Sequence, residues 1–326
     1  MVNKIIESIA ARVLAGQDIV RNDIETLCRE SRDSMDDLLY WANKIRTQYF
    51  GNRIQICSIV PGRLGGCDQD CAFCAQSVRY NTYLEKKPKV LSDEEILAGA
   101  REAKAKGVPH YGIVYSGRTI SEKELTRLEG LIARITEEVG IHVCGGFGIL
   151  NKQQLLRLAR AGMRRYNHNL ETSRTHYGTI VTTHTYDDRI RTIKASQEAG
   201  LGVCAGGLFG IGESEADRID MALQIRQLNA DMAPLNFLHP IPGTPMGDQT
   251  PLSPREILRI IAIYRFILPR TNLKVAGGRV LNLRDMQSWI FYAGCSSIIS
   301  GNYLTTAGRS VEEDMRMLTD LGLEAV

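Results

Sequence analysis

Apolar positions recur at helical spacing near the start of the chain, at Ile5, Ile9 and Val13 and again at Ile24, Leu27 and Cys28. They predict a helical N-terminal extension over residues 1–50. From Arg53 the pattern changes to short β-rich runs: RIQICSIV, HYGIVYSG, IHVCGGFG, RRYNHNL, LGVCAGGLFG, APLNFLH, LKVAGG and SSIISG. Amphipathic stretches over 92–105, 122–139, 152–161 and 186–199 lie between them and read as helices. Eight strands, nearly all followed by a helix, predict an α/β fold, a (β/α)8 TIM barrel over residues 51–326, with an incomplete barrel as the alternative. The Pro-rich segment HPIPGTP reads as a loop after the sixth strand.

Composition narrows the function classes. Hydrophobic residues make up 44% and charged residues 24% of the 326, which suits a globular core and argues against disorder or a coiled coil. Lysine and arginine number 40 against 37 acidic residues, a net +3 that advertises neither a nucleic-acid nor a membrane surface. Glu7 and Arg12 interrupt the first apolar stretch, so it does not read as a signal peptide. No run reaches the roughly 18 apolar residues of a membrane helix. A cytoplasmic setting is therefore expected, where eight cysteines suggest metal or catalysis rather than disulfides.

The most specific chemistry is CDQDCAFC, with Cys67, Cys71 and Cys74 in a Gly-rich loop after the first strand. That is the C-terminal mouth, where barrel active sites lie. Electron-transfer 4Fe–4S clusters take four cysteines. Three leave one iron open for a small chelating ligand. A structural zinc site needs four ligands, and no partner CxxC or HxxxH is present.

The CxxxCxxC spacing, with aromatic Phe73 before the last cysteine, resembles the radical S-adenosylmethionine superfamily. In that superfamily the open iron chelates the amino and carboxylate groups of S-adenosylmethionine, whose reductive cleavage yields a 5′-deoxyadenosyl radical. From about Arg53 onward the chain is similar to the biotin synthase family. The likeness rests on RYNHNLETS (165–173), TTHTYDDR (182–189), VCAGGLFGIGE (203–213), LNFL around Asn236, GTP (243–245), AGGR ending at Arg279, and YLTT (303–306).

The resemblance implies sulfur insertion into dethiobiotin, and it implies roles. Asn169 and Glu171 contact S-adenosylmethionine, Glu171 at the ribose hydroxyls. Arg189 pairs with the methionyl carboxylate. Phe73 and the backbone near Leu208 flank the adenine, while Tyr115, Ser116 and Gly117 cradle the methionine moiety. Asn167, Asn169 and Asn236 hold the ureido ring, since an amide both donates and accepts. Read on residues alone, Asn236 would be a loop residue satisfying backbone groups. No general acid or base is implied; His168 and His184 lie in matched segments and shape their loops. The implied partners are an electron donor such as flavodoxin or ferredoxin, the iron–sulfur assembly machinery and a second copy in a homodimer. Neither nucleic acid nor membrane is a partner.

The family's sulfur source is an auxiliary 2Fe–2S cluster held by three cysteines and an arginine. Cys144, Cys204 and Arg279 match three of these positions, but Gly112 stands at the fourth and cannot coordinate. Cys57 offers a replacement. In RIQICSIV, alternation turns Ile54 and Ile56 outward and Gln55 and Cys57 inward. Cys57, Cys144 and Cys204 then fall on the first, third and fifth strands, with Arg279 ending the seventh, and barrel layers draw on alternate strands. Alternation from Val275 points Arg279 outward, so its place rests on the resemblance alone. The expectation is a 4Fe-type auxiliary cluster with an open iron, extending to 4Fe–5S, favoured over a rearranged 2Fe–2S; this resembles the variant enzymes of strict anaerobes. Cys28 and Cys295 read as core residues. Two rivals are a related radical enzyme acting on another substrate and a non-catalytic iron–sulfur or zinc protein.

Overall fold

Eight parallel strands close into one barrel in the computed structural model, which describes residues 2–326. They are β1 (Arg53–Leu64), β2 (His110–Tyr115), β3 (His142–Gly146), β4 (Arg165–Asn167), β5 (Gly202–Cys204, resumed at Gly207–Phe209), β6 (Met232–Phe237), β7 (Asn272–Val275) and β8 (Ser297–Ile299). Closure comes from β8 against β1, in register from Gln55 with Ser297 to Cys57 with Ile299. The expected complete barrel is thus the observed one.

Helices ring the barrel. They are α1 (Lys4–Leu14), α2 (Arg21–Glu30), α3 (Met35–Phe50), α4 (Asp93–Ala105), α5 (Glu122–Arg134), α6 (Lys152–Arg160), α7 (Arg174–Ile180), α8 (Tyr186–Glu198), α9 (Glu215–Gln227), α10 (Pro254–Ile267), α11 (Arg279–Leu283), α12 (Trp289–Tyr292) and α13 (Val311–Asp320). Loops deliver the chain into helices through reciprocal caps such as Ser92 with Glu95, Ser121 with Glu124 and Ser310 with Glu313. The apolar stripes of α1 to α3 join the same core as the barrel helices, with Ile6, Ile24, Leu27 and Leu38 fully buried. Arg259 of α10 donates to the Cys28 carbonyl at 3.2 Å, tying α2 to the ring. Among the described residues no helix is long and apolar enough to cross a membrane.

Three departures from simple periodicity matter. β1 runs beyond the expected segment, through an irregularity at Pro61 to Arg63, and so carries the chain directly into the three-cysteine loop. β5 is interrupted at Ala205–Gly206 because Gly206 lies against Pro234, where an added Cβ would fall 2.0 Å from the Pro234 carbonyl oxygen. The stretch after Arg134 widens into a π-turn, Ile135–Val139, which Gly140 ends in the left-handed region.

Candidate active site

The three-cysteine loop sits at the C-terminal mouth and is pinned from both sides. Cys67 exchanges backbone hydrogen bonds with Gln76 and Val78, at 3.0 and 2.8 Å, and Ala72 N–H donates to the Ile180 carbonyl at the end of α7. The Asp70 carboxylate accepts from the backbone N–H groups of Thr182 and Thr183, at 3.0 and 3.1 Å, and from both hydroxyls. Burial opposes ionisation of Asp70, yet those hydrogen bonds prevail and hold it well below the usual carboxylate range. Ser116 donates to the Gly65 carbonyl at 2.6 Å.

Burial pushes all three thiols up, Cys74 to about 11. Burial thus disfavours free thiolates here, and iron binding is what would favour them. Among the described residues no three His, Cys, Asp or Glu side chains converge on a single metal ion. A cubane makes no such demand, since each thiolate takes a different iron. Three free, half-buried cysteines around one cavity fit that group.

Behind the loop, β4 ends at Asn167 and the chain continues through His168, Asn169 and Glu171. Glu171 holds a left-handed backbone, φ 69°, which is strained for a side chain of its size and is a feature of functional sites. Its carboxylate lies 3.3 Å from Arg189 and is raised by burial against that cation. Arg189 is heavily engaged, donating to the Tyr177 hydroxyl at 2.7 Å, the Asn169 carbonyl at 2.9 Å and His184 Nε2 at 3.0 Å. Because guanidinium only donates, His184 must accept at Nε2 and donate from Nδ1 to Gln69 Oε1, at 3.0 Å. Burial, then Arg189, depresses this histidine to about 4, in keeping with the neutral ring.

A cavity of about 340 Å³ runs from the three cysteines past Tyr115, Gly117, Asn167 and Asn236 to Cys204 and Lys274. An adjoining space of about 270 Å³ is bounded by Phe73, Leu208 and the Tyr303–Thr306 segment. Asn167 Oδ1 is buried without a partner among the described residues. Asn236 is largely occupied, donating to the Gly207 carbonyl at 3.1 Å and accepting from Gly277 N–H at 2.9 Å. Ser116 does not line either space; its hydroxyl is spent on the cysteine loop.

Deeper in the barrel lie Cys57, Cys144 and Cys204, all 5% exposed or less. They stand on β1, β3 and β5. Burial raises Cys144 to about 12, while nearby Arg165 and Lys274 pull it the other way. Gly112 faces the same interior, and a Cβ there would sit 3.1 Å from Ile59 and 3.8 Å from the Asn167 amide.

The expected fourth member, Arg279, is elsewhere. The chain leaves β7 through Ala276 and Gly277, turns at Gly278 (φ 76°), and starts α11 with Arg279. Its guanidinium is fully buried against Asp314 of α13, at 2.6 Å. Lys274 takes the place instead, its Nζ 3.7 Å from Cys57 Sγ. The signal was present in the sequence: if Val275 faces outward, Lys274 faces inward, and a lysine inside LKVAGG is conspicuous. Cys28 and Cys295 are buried in the core, as expected.

Residues 63–225 match the Radical SAM superfamily, and residues 234–324 match the Biotin and Thiamin Synthesis associated domain. The chain is 44% identical over 317 residues to biotin synthase of Akkermansia muciniphila, covering 97% of each. It is 42% identical over 323 residues to biotin synthase of Citrifermentans bemidjiense, covering 99% of this chain and 98% of that one. Among solved structures, a methylornithine synthase superposes with a TM-score of 0.85 at 22% identity, covering 98% of this chain and 97% of that one. That likeness concerns the fold.

Proposed function

The chain belongs to the biotin synthase family of the radical S-adenosylmethionine superfamily, and on that premise we propose which of its side chains carry the reaction. The enzyme inserts sulfur into dethiobiotin to form biotin, and it uses a 4Fe–4S cluster, S-adenosylmethionine and an auxiliary iron–sulfur cluster. When bound, these groups supply the 5′-deoxyadenosyl radical and the sulfur. The protein binds, orients and keeps water out.

Cys67, Cys71 and Cys74 hold the radical-generating cluster. Asn169 and Glu171 contact S-adenosylmethionine, Glu171 at the ribose hydroxyls; Phe73 and the Leu208 backbone flank its adenine. Tyr115 and Gly117 border the methionine moiety, and Ser116 serves it indirectly by fixing the loop at Gly65. Arg189 meets the methionyl carboxylate while bracing Glu171. Asn167, with its unpaired Oδ1, accepts from a ureido N–H, and Asn169 and Asn236 complete that contact. Cys57, Cys144 and Cys204 hold the auxiliary cluster with Lys274, not Arg279, beside it. Three thiolates and a cation in one layer favour a 4Fe-type cluster with one open iron, in the 4Fe–5S form, over 2Fe–2S. A flavodoxin or ferredoxin supplies electrons, iron–sulfur assembly machinery loads the clusters, and the enzyme works as a homodimer.

The supporting observation is that one cavity touches Cys67, Cys71 and Cys74 at one end and Cys204 and Lys274 at the other. A substrate held there is close to both the hydrogen abstractor and the sulfur donor, and proximity and orientation decide which hydrogen is taken. Anaerobic iron and sulfide analysis with Mössbauer spectroscopy tests the assignment. Wild-type protein should hold two clusters; Cys57→Ala should keep the radical cluster only and form 5′-deoxyadenosine without biotin. An unchanged auxiliary cluster in Cys57→Ala would sink the proposed ligand set.

A further inference from the structure

Barrel interiors are ordinarily plugged by layers of bulky, branched apolar side chains. The layer beneath the proposed auxiliary cluster is different. Two residues back from each of Cys57, Cys144, Cys204 and Lys274, hence on the same strand face roughly 7 Å nearer the N-terminal end, stand Gln55, His142, Gly202 and Asn272. His110 at the start of β2 joins them. Met232, in register with Asn272, is the fully buried apolar member of this layer; below it a pocket of about 430 Å³ opens at the base, with Arg53, Gln55, His110, His142 and Asn272 on its polar side and Tyr49, Phe50 and Val326 on its apolar side. Arg53 and His142 are exposed, and Gln55, His110 and Asn272 are half-buried.

The polar groups of this layer form one directed chain. Ser296 Oγ donates to Asn272 Oδ1 at 2.6 Å, and Asn272 Nδ2 donates to Gln55 Oε1 at 2.6 Å. That leaves Gln55 Nε2 to donate to His110 Nε2, also at 2.6 Å. The neutral ring must then carry its hydrogen on Nδ1, and this atom is buried with no partner among the described residues. Arg165, His142 and Lys274 surround His110, and no acidic side chain is among its charged neighbours. A buried, unpaired N–H in a cationic setting, on a ring that borders the base pocket and stands in register with Cys57, suits a small anion.

We propose that the base of the barrel is an entry port and binding site for hydrosulfide, through which the auxiliary cluster layer is resupplied with sulfur. The port works from the side opposite the substrate, so it stays open while S-adenosylmethionine and dethiobiotin fill the upper cavity. Arg53 attracts the anion at the mouth, His110 Nδ1–H and Arg165 receive it, and Lys274 draws it to the cysteine layer. The passage itself makes and breaks no covalent bond; label entry would be an exchange in which incoming hydrosulfide replaces a bound sulfide that leaves as hydrosulfide, with no change of oxidation state. The inference rests on the reading of Cys57, Cys144 and Cys204 as cluster ligands.

The test uses holoenzyme with S-adenosylmethionine and dethiobiotin bound, without reductant. Heavy-isotope sulfide is added, and its entry into acid-labile sulfide is followed by mass spectrometry, with uptake by Cys57→Ala subtracted as the radical-cluster background. Label should enter wild-type protein despite the filled upper cavity. Arg53→Glu should slow entry on the order of ten-fold at low salt, the scale of electrostatic steering, while Arg53→Lys does not. His142→Trp should slow it by crowding the mouth, and His142→Ala should speed it. Equal uptake in all four variants, or uptake abolished by the two upper ligands, would overturn the proposal. Iron for a single cluster would overturn the ligand reading and the proposal together; a second cluster indifferent to the base variants overturns the proposal alone.

Discussion

Lys274 is the side chain that sequence resemblance passed over and the barrel brings forward. Its buried ammonium lies 3.7 Å from Cys57 Sγ, where it would balance the charge of the proposed thiolate ligands. Lys274→Met keeps the bulk and removes the charge. We expect the auxiliary cluster to assemble with lower occupancy in this variant while the radical cluster is unaffected, as read by iron per chain and Mössbauer spectra. Arg279 makes the opposite case. Arg279→Met leaves buried Asp314 with only the longer contact to Arg309, at 3.7 Å, which should destabilise the protein by about 3 kcal/mol, the low end for a broken buried pair. Urea denaturation should register that loss, and the folded fraction should retain its full auxiliary iron. Loss of auxiliary iron from folded Arg279→Met would restore Arg279 to the cluster. Glu171 combines a strained backbone with a buried carboxylate. Glu171→Gln should raise the KM for S-adenosylmethionine more than it lowers kcat, since an amide replaces an acceptor-only group at the proposed ribose contact.

Elements hold the site through their termini. Asp217 at the start of α9 accepts from Ser214 in the helix cap, and from the Ser173 and Thr175 hydroxyls of α7 at 2.6 and 2.9 Å. Burial alone would raise its pKa, but these hydrogen bonds depress it well below the ordinary aspartate range. A depressed folded value means the stabilisation is complete above the unfolded pKa of about 3.9 and is lost as the pH falls below it. Asp217→Asn should therefore flatten the acid limb of the stability curve, measured by thermal melts between neutral and acid pH. α13 carries Asp314 and begins with the Ser310–Glu313 box. Ser310→Ala should cost about 1 kcal/mol and lower Tm modestly, without changing cluster content. The cysteine loop depends in the same way on α7 and on the Thr182–Thr183 turn, neither of which is its neighbour in sequence.

At the scale of the whole molecule, two cysteine sets occupy different depths of one barrel, with a cavity between them. The strand rhythm from Arg53 onward was readable because a strand's two faces alternate every residue, and that alternation is a local property. It also brought Cys57 inward on the first strand, in a layer with Cys144 and Cys204. The three-cysteine loop was readable for a similar reason, since its cysteines lie within eight residues of one another. The fate of Arg279 was not readable from spacing. It depends on where β7 ends and on Asp314, which is 35 residues further on. The same holds for Asn236, whose amide is committed to two backbone groups from other strand ends, and for Ser116, which serves the loop and not the cavity. Periodicity thus determined the barrel and its extension of helices, and spacing picked out the cysteines of the loop. The tertiary structure decided which cation stands in their layer and which polar groups remain free, because both are settled by contacts among residues distant in the chain.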